Sequence, residues 1–370
     1  MEKRQYYIDW IRVLAFGALI FYHTGMFFVS WGWHVKNNEI VNYHEIWMEL
    51  INPWRLSLLF FISGVGVSFA LKSRTGWQFI GERTKRLLLP LIFGMLVIVP
   101  PQIYFERIQN HEITQSYLDF YPSVFNFVPY PAGNFSWHHL WFVTYLWVYS
   151  ILATPLFTWL KNHSNIFKFN THFGDYIKLL LCIFPLSITY ILLSKDWEIT
   201  HNLTSDWYNF TLSLLLFILG YIIGGQSQNW ELIEKYRKIN FGIAASIMTI
   251  SLSYDAIFGP LSDEHFWVLC LNSVLKMLFI WCIILAICGF AKHHLNFKNS
   301  FIGYANRAVY PFYILHQTII IIIGFYMADW VISPLFKFFL IVIGTFGLCA
   351  FLYHFLIRPY SIMRLLFGVK

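Results

Sequence analysis

The chain has 370 residues, of which 58% are hydrophobic, 21% aromatic and only 12% charged, with a mean hydropathy of +0.55. A soluble domain carries roughly 25% charged residues, so this composition excludes a soluble globular protein and requires a polytopic membrane protein. The net charge of +7 points to anionic lipid headgroups on one membrane face, and no nucleic-acid partner is expected.

The first apolar segment covers residues 9 to 31. Lys3 and Arg4 flank it as they would a signal peptide, but it is too long, lacks a small-residue cleavage site and carries Arg12 and His23 inside it. It is therefore expected to stay as the first span. Eleven helical steps separate Arg12 from His23, which brings them to one face about 16 Å apart. With Asp9 they make a polar track from the cytoplasmic edge toward mid-bilayer. Charge at that depth is costly and is kept for function. A neutral imidazole there is able to take a proton from a hydroxyl, so His23 is the leading catalytic candidate.

Further spans are expected at 53 to 71, 87 to 105, 137 to 159, 176 to 194, 207 to 224, 240 to 258, 266 to 290, 305 to 327 and 331 to 357, each long enough to cross ~30 Å of hydrocarbon as a helix. The second begins Asn52-Pro53-Trp54-Arg55, where Arg55 is placed to snorkel at the outer interface. The loop that follows packs Glu82, Arg83, Lys85 and Arg86 together. Its plain explanation is a topology signal and lipid anchor. Its sharper one is a phosphate site for a nucleotide-like cosubstrate, because the guanidinium fork suits phosphate oxygens. The stretch from about 106 to 136 is too long for an idle loop, and its many aromatic residues argue against disorder. Near the outer ends of the first, second and fourth spans cluster Trp31, Trp33, Trp47, Trp54, Trp137 and Trp141. Most fit an interfacial aromatic belt; the rest, with His34, His138 and His139 nearby, are candidates to contact a glycan.

Later spans carry Asp255, Lys276, Arg307, His316 and His354. His316 follows Pro311 and is either a buried core histidine or a direct participant. Cys182, Cys270, Cys282, Cys288 and Cys349 all lie in apolar runs, and their odd number and scatter suit neither a disulfide framework nor a zinc site. No metal is expected.

Counting from an inside N-terminus, ten spans place Lys3, Arg4, Lys72, Arg74, Arg83, Lys85, Arg86, Lys161, Lys168, Lys178, Lys235, Arg237, Lys238, Lys292, Lys298, Arg358, Arg364 and Lys370 on the cytoplasmic side. Only Lys36, Arg107 and Lys195 fall outside, where Glu39, Glu106, Asp263 and Glu264 are among the acidic residues. That asymmetry supports an all-α bundle of about ten helices with both termini cytoplasmic, as one membrane domain over residues 1 to 370.

The segments "DWIRVLAFGALIFYHTGMFF", "NPWRLSLLFFISG", "ERTKRLLLPLIFGML", "HHLWFVTYLW" and "GYANRAVYPFYILHQT", in that order, resemble the acyltransferase 3 family of integral-membrane acyltransferases, and the first three look closest to its glucan-modifying branch, which includes a periplasmic glucan succinyltransferase. The resemblance implies transfer of an acyl group, acetyl or succinyl, from cytoplasmic acyl-CoA to a hydroxyl of an extracytoplasmic glycan at the bacterial inner membrane. It implies His23 as the catalytic histidine, Arg12 as its companion on the donor side, and Arg83 and Arg86 as the residues that engage the nucleotide of the donor, with Lys85 between them. Acyl-CoA would be a cosubstrate, with no bound cofactor. Many relatives append a soluble esterase-like domain; without one, the membrane domain would complete the reaction alone.

The residues themselves fit that chemistry. A thioester has a good leaving group, so the protein must supply a base for the acceptor and donors for the oxyanion. Arg12, His316 and Ser63 are candidate donors; Asp9, Arg55, Trp33, His34, Trp137 and His139 are candidate substrate contacts. A proton-coupled transporter would also place His and Arg on pore-lining faces, and a sensor without catalysis is a third option; a transporter has no reason to depend on acyl-CoA or on Arg83.

Overall fold

The computed structural model describes residues 4–163, 168–259, 261, 263 and 265–369. Lys3, Glu264 and Lys370, which entered the charge pattern, lie outside the described residues. The chain folds into α-helices: α1 (Tyr6–Met26), α2 (Tyr43–Lys72), α3 (Gly76–Phe93), α4 (Pro100–Gln109), α5 (Tyr117–Phe120), α6 (Trp141–Asn162), α7 (Phe173–Leu180), α8 (Ile183–Leu193), α9 (Trp207–Gly224), α10 (Ser227–Lys235), α11 (Arg237–Phe258), α12 (Phe266–His294), α13 (Ser300–Met327), α14 (Pro334–Phe351) and α15 (Ser361–Leu366). No strand occurs among the described residues. Nine helices there are long and apolar enough to cross a membrane. α1, with 21 residues, has the length for a tenth, about 31 Å; Asp9, Arg12 and His23 dilute its apolar character.

Two spans are broken for identifiable reasons. Residues 76 to 109 form one long helical run, interrupted by a π-helical turn at Gly94–Ile98 just before Pro100 and Pro101. Proline offers no N–H to the carbonyl four residues back, and at membrane depth an orphaned carbonyl needs another donor. The Tyr121 hydroxyl donates to the Leu96 carbonyl at 3.0 Å, and the Thr318 hydroxyl donates to Ile98 at 2.7 Å. The break between α7 and α8 is similar: Pro185 cannot serve Leu181, which the Phe184 N–H reaches instead at 3.0 Å, and the Trp281 indole donates to Leu179 at 2.8 Å.

The helices gather into two compact units, each discontinuous in sequence. The first comprises Met1–Arg12, Leu50–Ile80 and Val148–Asn299, with α12 packed on α8, α10 and α11. In it α9 meets α2 backbone to backbone. A Cβ on Gly220 would fall 1.9 Å from the Phe61 carbonyl oxygen, and one on Gly64 1.9 Å from that of Phe217, the close approach that small residues permit between membrane helices. The second unit comprises Val13–Glu49, Gly81–Trp147 and Ser300–Lys370, with α13 packed on α4 and α14.

In the second unit the 106 to 136 segment is folded, as its aromatic density suggests. α5 and a 3₁₀ turn at Tyr121–Asn126 lie in it. Arg107 donates to the Pro131 and Gly133 carbonyls at 2.9 and 3.0 Å, and Asn134 donates to the Ser123 hydroxyl at 2.7 Å. Burial pushes the Tyr117 phenol up to about 12.

Candidate functional site

His23 lies near the C-terminal end of α1, and His316 lies on α13 one turn past Pro311. Their rings stack at 5.0 Å with an 11° tilt, and His23 Nδ1 is 2.9 Å from His316 Nε2. The partners fix the protons. His316 Nδ1 is 2.6 Å from the Tyr313 carbonyl, which only accepts, so Nδ1 carries the hydrogen. In neutral His316 the Nε2 then holds the lone pair, and His23 Nδ1–H must donate to it. Neutral His23 is thereby the tautomer whose lone pair sits on Nε2. A second histidine orients the first, as base and orienter do in catalytic constellations.

A buried polar network holds this pair. His139 Nε2–H donates to the Ile314 carbonyl at 3.1 Å, and its Nδ1 faces the Gln102 amide nitrogen at 3.3 Å. Gln102 also donates to Thr318 at 2.7 Å and accepts from Gln317 at 3.1 Å. The Tyr313 hydroxyl donates to the His139 carbonyl. The polar atoms of this group match donor to acceptor, which is what an apolar setting demands. The Trp33 ring lies 5.2 Å from the His23 ring, and its indole nitrogen is buried without a hydrogen-bond partner.

The other sequence candidates fall as follows. Arg12 lies on the same helix as His23, eleven residues earlier, and its guanidinium passes close to Gly66 of α2, where a Cβ would sit 3.4 Å from it. Asp9 is paired with Arg4, whose Nε and Nη2 lie 2.9 and 2.7 Å from Oδ2. Arg55 donates to Asn52 at 2.8 Å. Ser63 spends its hydroxyl on the Leu59 carbonyl at 2.7 Å. His34 Nδ1 is 2.6 Å from Glu106 Oε2. Trp137 ends the turn that leads into a short 3₁₀ element, His138–Leu140. His139, expected beside a glycan, has both ring nitrogens in protein hydrogen bonds instead. On α3, Arg86 donates to the Gly368 carbonyl at 3.4 Å and stands 4.0 Å from Glu82, while Lys85 is exposed. Arg83 and Arg86 both act electrostatically on Tyr310, whose hydroxyl is buried without a hydrogen-bond partner. Tyr310, Tyr313 and His316 follow at three-residue spacing on α13, the first two rings nearly parallel at 6.3 Å. One helix face thus leads from the basic cluster to the histidine pair.

The acyltransferase domain of the acyltransferase 3 family matches residues 5–354. The chain belongs to that family. It is similar to glucans biosynthesis protein C of Escherichia coli (strain K12), 23% identical over 384 aligned residues that cover 100% of this chain and 95% of that protein. The same-named protein of Salmonella schwarzengrund (strain CVM19633) is 22% identical over 382 residues, covering 99% and 95%, and that of Shigella dysenteriae serotype 1 is 22% identical over 384, covering 100% and 95%. No solved structure matches. The protein is a multi-pass membrane O-acyltransferase.

Several residues of this candidate site escaped the sequence pattern. Gln102 carried a signal, a polar side chain inside an apolar span, which the charge count passed over. Glu106 looked like one more outer acidic residue. Tyr310 and Tyr313 have no signature, because tyrosine is frequent throughout the chain.

Proposed function

We propose that the protein moves an acyl group, acetyl or succinyl, from cytoplasmic acyl-CoA to a hydroxyl of an extracytoplasmic glucan, within the bacterial inner membrane. The observation that carries this reading is the His23–His316 pair, because it presents a basic nitrogen with its tautomer set. The acceptor hydroxyl gives its proton to His23 Nε2 as its oxygen attacks the thioester carbonyl. The imidazolium so formed is stabilised by donating through Nδ1 to His316, which leans in turn on the Tyr313 carbonyl. As the tetrahedral intermediate collapses, the carbon–sulfur bond breaks, and His23 returns the proton to the departing thiolate. The Trp33 indole N–H, buried without a hydrogen-bond partner in a ring 5.2 Å from that of His23, would donate to an oxygen of the acceptor or of the intermediate. Arg83, Lys85 and Arg86 would take the phosphates of the donor, and the Tyr310–Tyr313 face would lead its acyl arm toward His23. The glucan acceptor is supported by the names of the similar proteins.

Purified protein in liposomes, given radiolabelled acetyl-CoA or succinyl-CoA and a glucan, should label the glucan with one of the two donors, and His23→Ala should abolish the labelling while inserting normally. A His23→Ala protein with full activity would refute the mechanism. Replacing Arg83 and Arg86 by alanine should weaken acyl-CoA binding at least tenfold; an unchanged dissociation constant would return this basic cluster on α3 to a role in topology.

A further inference from the structure

We propose that His34, Glu106 and His138 form a site for a divalent transition metal of the zinc class, which ties three separate segments of the second unit together beside His23. These residues come from the turn after α1, from α4 and from the 3₁₀ element before α6. Their ligand atoms lie within 4.8 Å of one another, the one such grouping of His, Cys, Asp or Glu side chains among the described residues. The site requires nothing of the acyl-transfer reading above.

Each side chain is already set for the task. His138 Nε2 is buried and has no hydrogen-bond partner, an arrangement that costs free energy unless something fills it. The other ring nitrogen, Nδ1, is 2.7 Å from the Ser136 hydroxyl; if Nδ1–H donates to that oxygen, the Nε2 lone pair faces outward to a metal, the usual outer-shell support for a ligating imidazole. The backbone at His138 has φ of 40°, a left-handed conformation rare for a non-glycine residue, and its N–H is held by the same Ser136 oxygen at 3.0 Å. Glu106 Oε1 accepts from the Tyr130 hydroxyl at 2.6 Å, while Oε2 is hydrogen-bonded to His34 Nδ1, so a metal would displace the proton between these two atoms and take both as ligands. His34 stacks on His138 at 4.5 Å and brings Nδ1 to 2.6 Å from Glu106 Oε2.

Two imidazoles and a carboxylate select zinc over calcium or magnesium, which prefer oxygen ligands. Bonds of about 2.1 Å in a tetrahedron put ligand atoms roughly 3.4 Å apart. His34 and Glu106 would therefore part slightly and His138 would move inward, each by less than about 1.5 Å. Three protein ligands leave a fourth position open to water or to a sugar hydroxyl. The Trp33 ring stands 5.2 Å from both the His34 ring and the His23 ring, so a metal here fixes the wall against which an acceptor would rest.

The test uses the tag-free, chelator-treated protein in detergent. Zinc content by mass spectrometry after dialysis should be one per chain, Co²⁺ should give the intense visible absorption of a four-coordinate N/O site, and Zn²⁺ should raise the thermal midpoint. His138→Ala and Glu106→Gln should each lose this binding, and Ser136→Ala, which keeps all three ligands but removes the partner of both the His138 ring Nδ1 and its backbone N–H, should weaken it about tenfold or more. Ser136→Ala carries the test should the ligand variants fold poorly. Absence of bound zinc and of any zinc-dependent shift in the wild-type protein, or equal zinc content in all variants, would overturn the proposal.

Discussion

The second histidine carries a sharp consequence at the level of single residues. If His316 acts by receiving the His23 Nδ1–H, removing it frees the His23 proton to choose either nitrogen, and the base is no longer reliably presented. His316→Ala should lower kcat about 100-fold or more while leaving KM for the acyl donor unchanged; a parallel rise in KM would point to a role in donor binding instead. His316→Gln, which retains an acceptor oxygen, should recover part of the loss. Lys36 makes a different prediction. One of only three basic residues expected in the outer loops, it donates to the carbonyls of Met26 and Val29 at 2.8 and 2.7 Å and also to that of Trp31, closing the C-terminal end of α1 just beyond His23. Burial pulls its amine down to about 8, with Glu45 pulling the other way. A lysine whose folded pKa lies below its unfolded 10.5 binds fewer protons folded than unfolded between those values, so its penalty is fully present below pH 8 and fades as the pH rises toward 10.5. Thermal stability should therefore gain a contribution over that window. Lys36→Met should remove the gain and, by deleting the α1 cap, destabilise the protein at pH 7 by about 2 kcal/mol; titration of the melting midpoint against pH in both proteins reads both effects.

Among the helices, the crossing of α9 on α2 is the contact least tolerant of added volume. Gly220 and Gly64 leave no room for a Cβ, and the atoms they would strike are backbone, which cannot rotate away. Gly220→Ala should cost about 2 kcal/mol or more, read as a lower melting midpoint in detergent, whereas Gly242→Ala, with nothing within 4 Å of its added carbon, should not. Equal midpoints would mean that the two helices part without penalty. This crossing also shows what the sequence could and could not disclose. Length and hydropathy located nine of the spans, and the Arg12–His23 spacing followed from helical geometry alone. The π-helical turn at Gly94–Ile98 was foreshadowed by Pro100 and Pro101 but not its consequence, that the carbonyls it orphans recruit Tyr121 and Thr318. Nothing in a single sequence pairs His23 with His316, which stand 293 positions apart, or Gln102 with Thr318, because such pairing depends on which helices pack together. The same holds for His139: a histidine beside tryptophans suggests a sugar contact, and only the fold shows its ring turned toward Ile314 and Gln102.

For the molecule as a whole, the distribution of charge is a statement about sidedness. The sequence expects basic residues in alternate loops and acidic and aromatic residues in the segments between them; on the proposed reading the histidine pair would be approached from one side by the Arg83–Arg86 cluster through Tyr310 and Tyr313, and from the other by Trp33 and His34. The proposed transfer from a cytoplasmic donor to an outer acceptor needs this polarity, and under it a soluble acceptor presented to the basic face should go unmodified. The arrangement is tested by labelling single cysteines with a membrane-impermeant maleimide in intact cells, in a background that lacks the native cysteines. Ala132→Cys, on an exposed turn of the 106 to 136 segment, should react from outside. Gly174→Cys, exposed near the start of α7 with nothing within 4 Å of its Cβ, should react only after the membrane is opened. Reaction of both from the same side would remove an odd number of crossings between them, and with it the assignment of Arg83, Lys85 and Arg86 to the compartment that holds acyl-CoA.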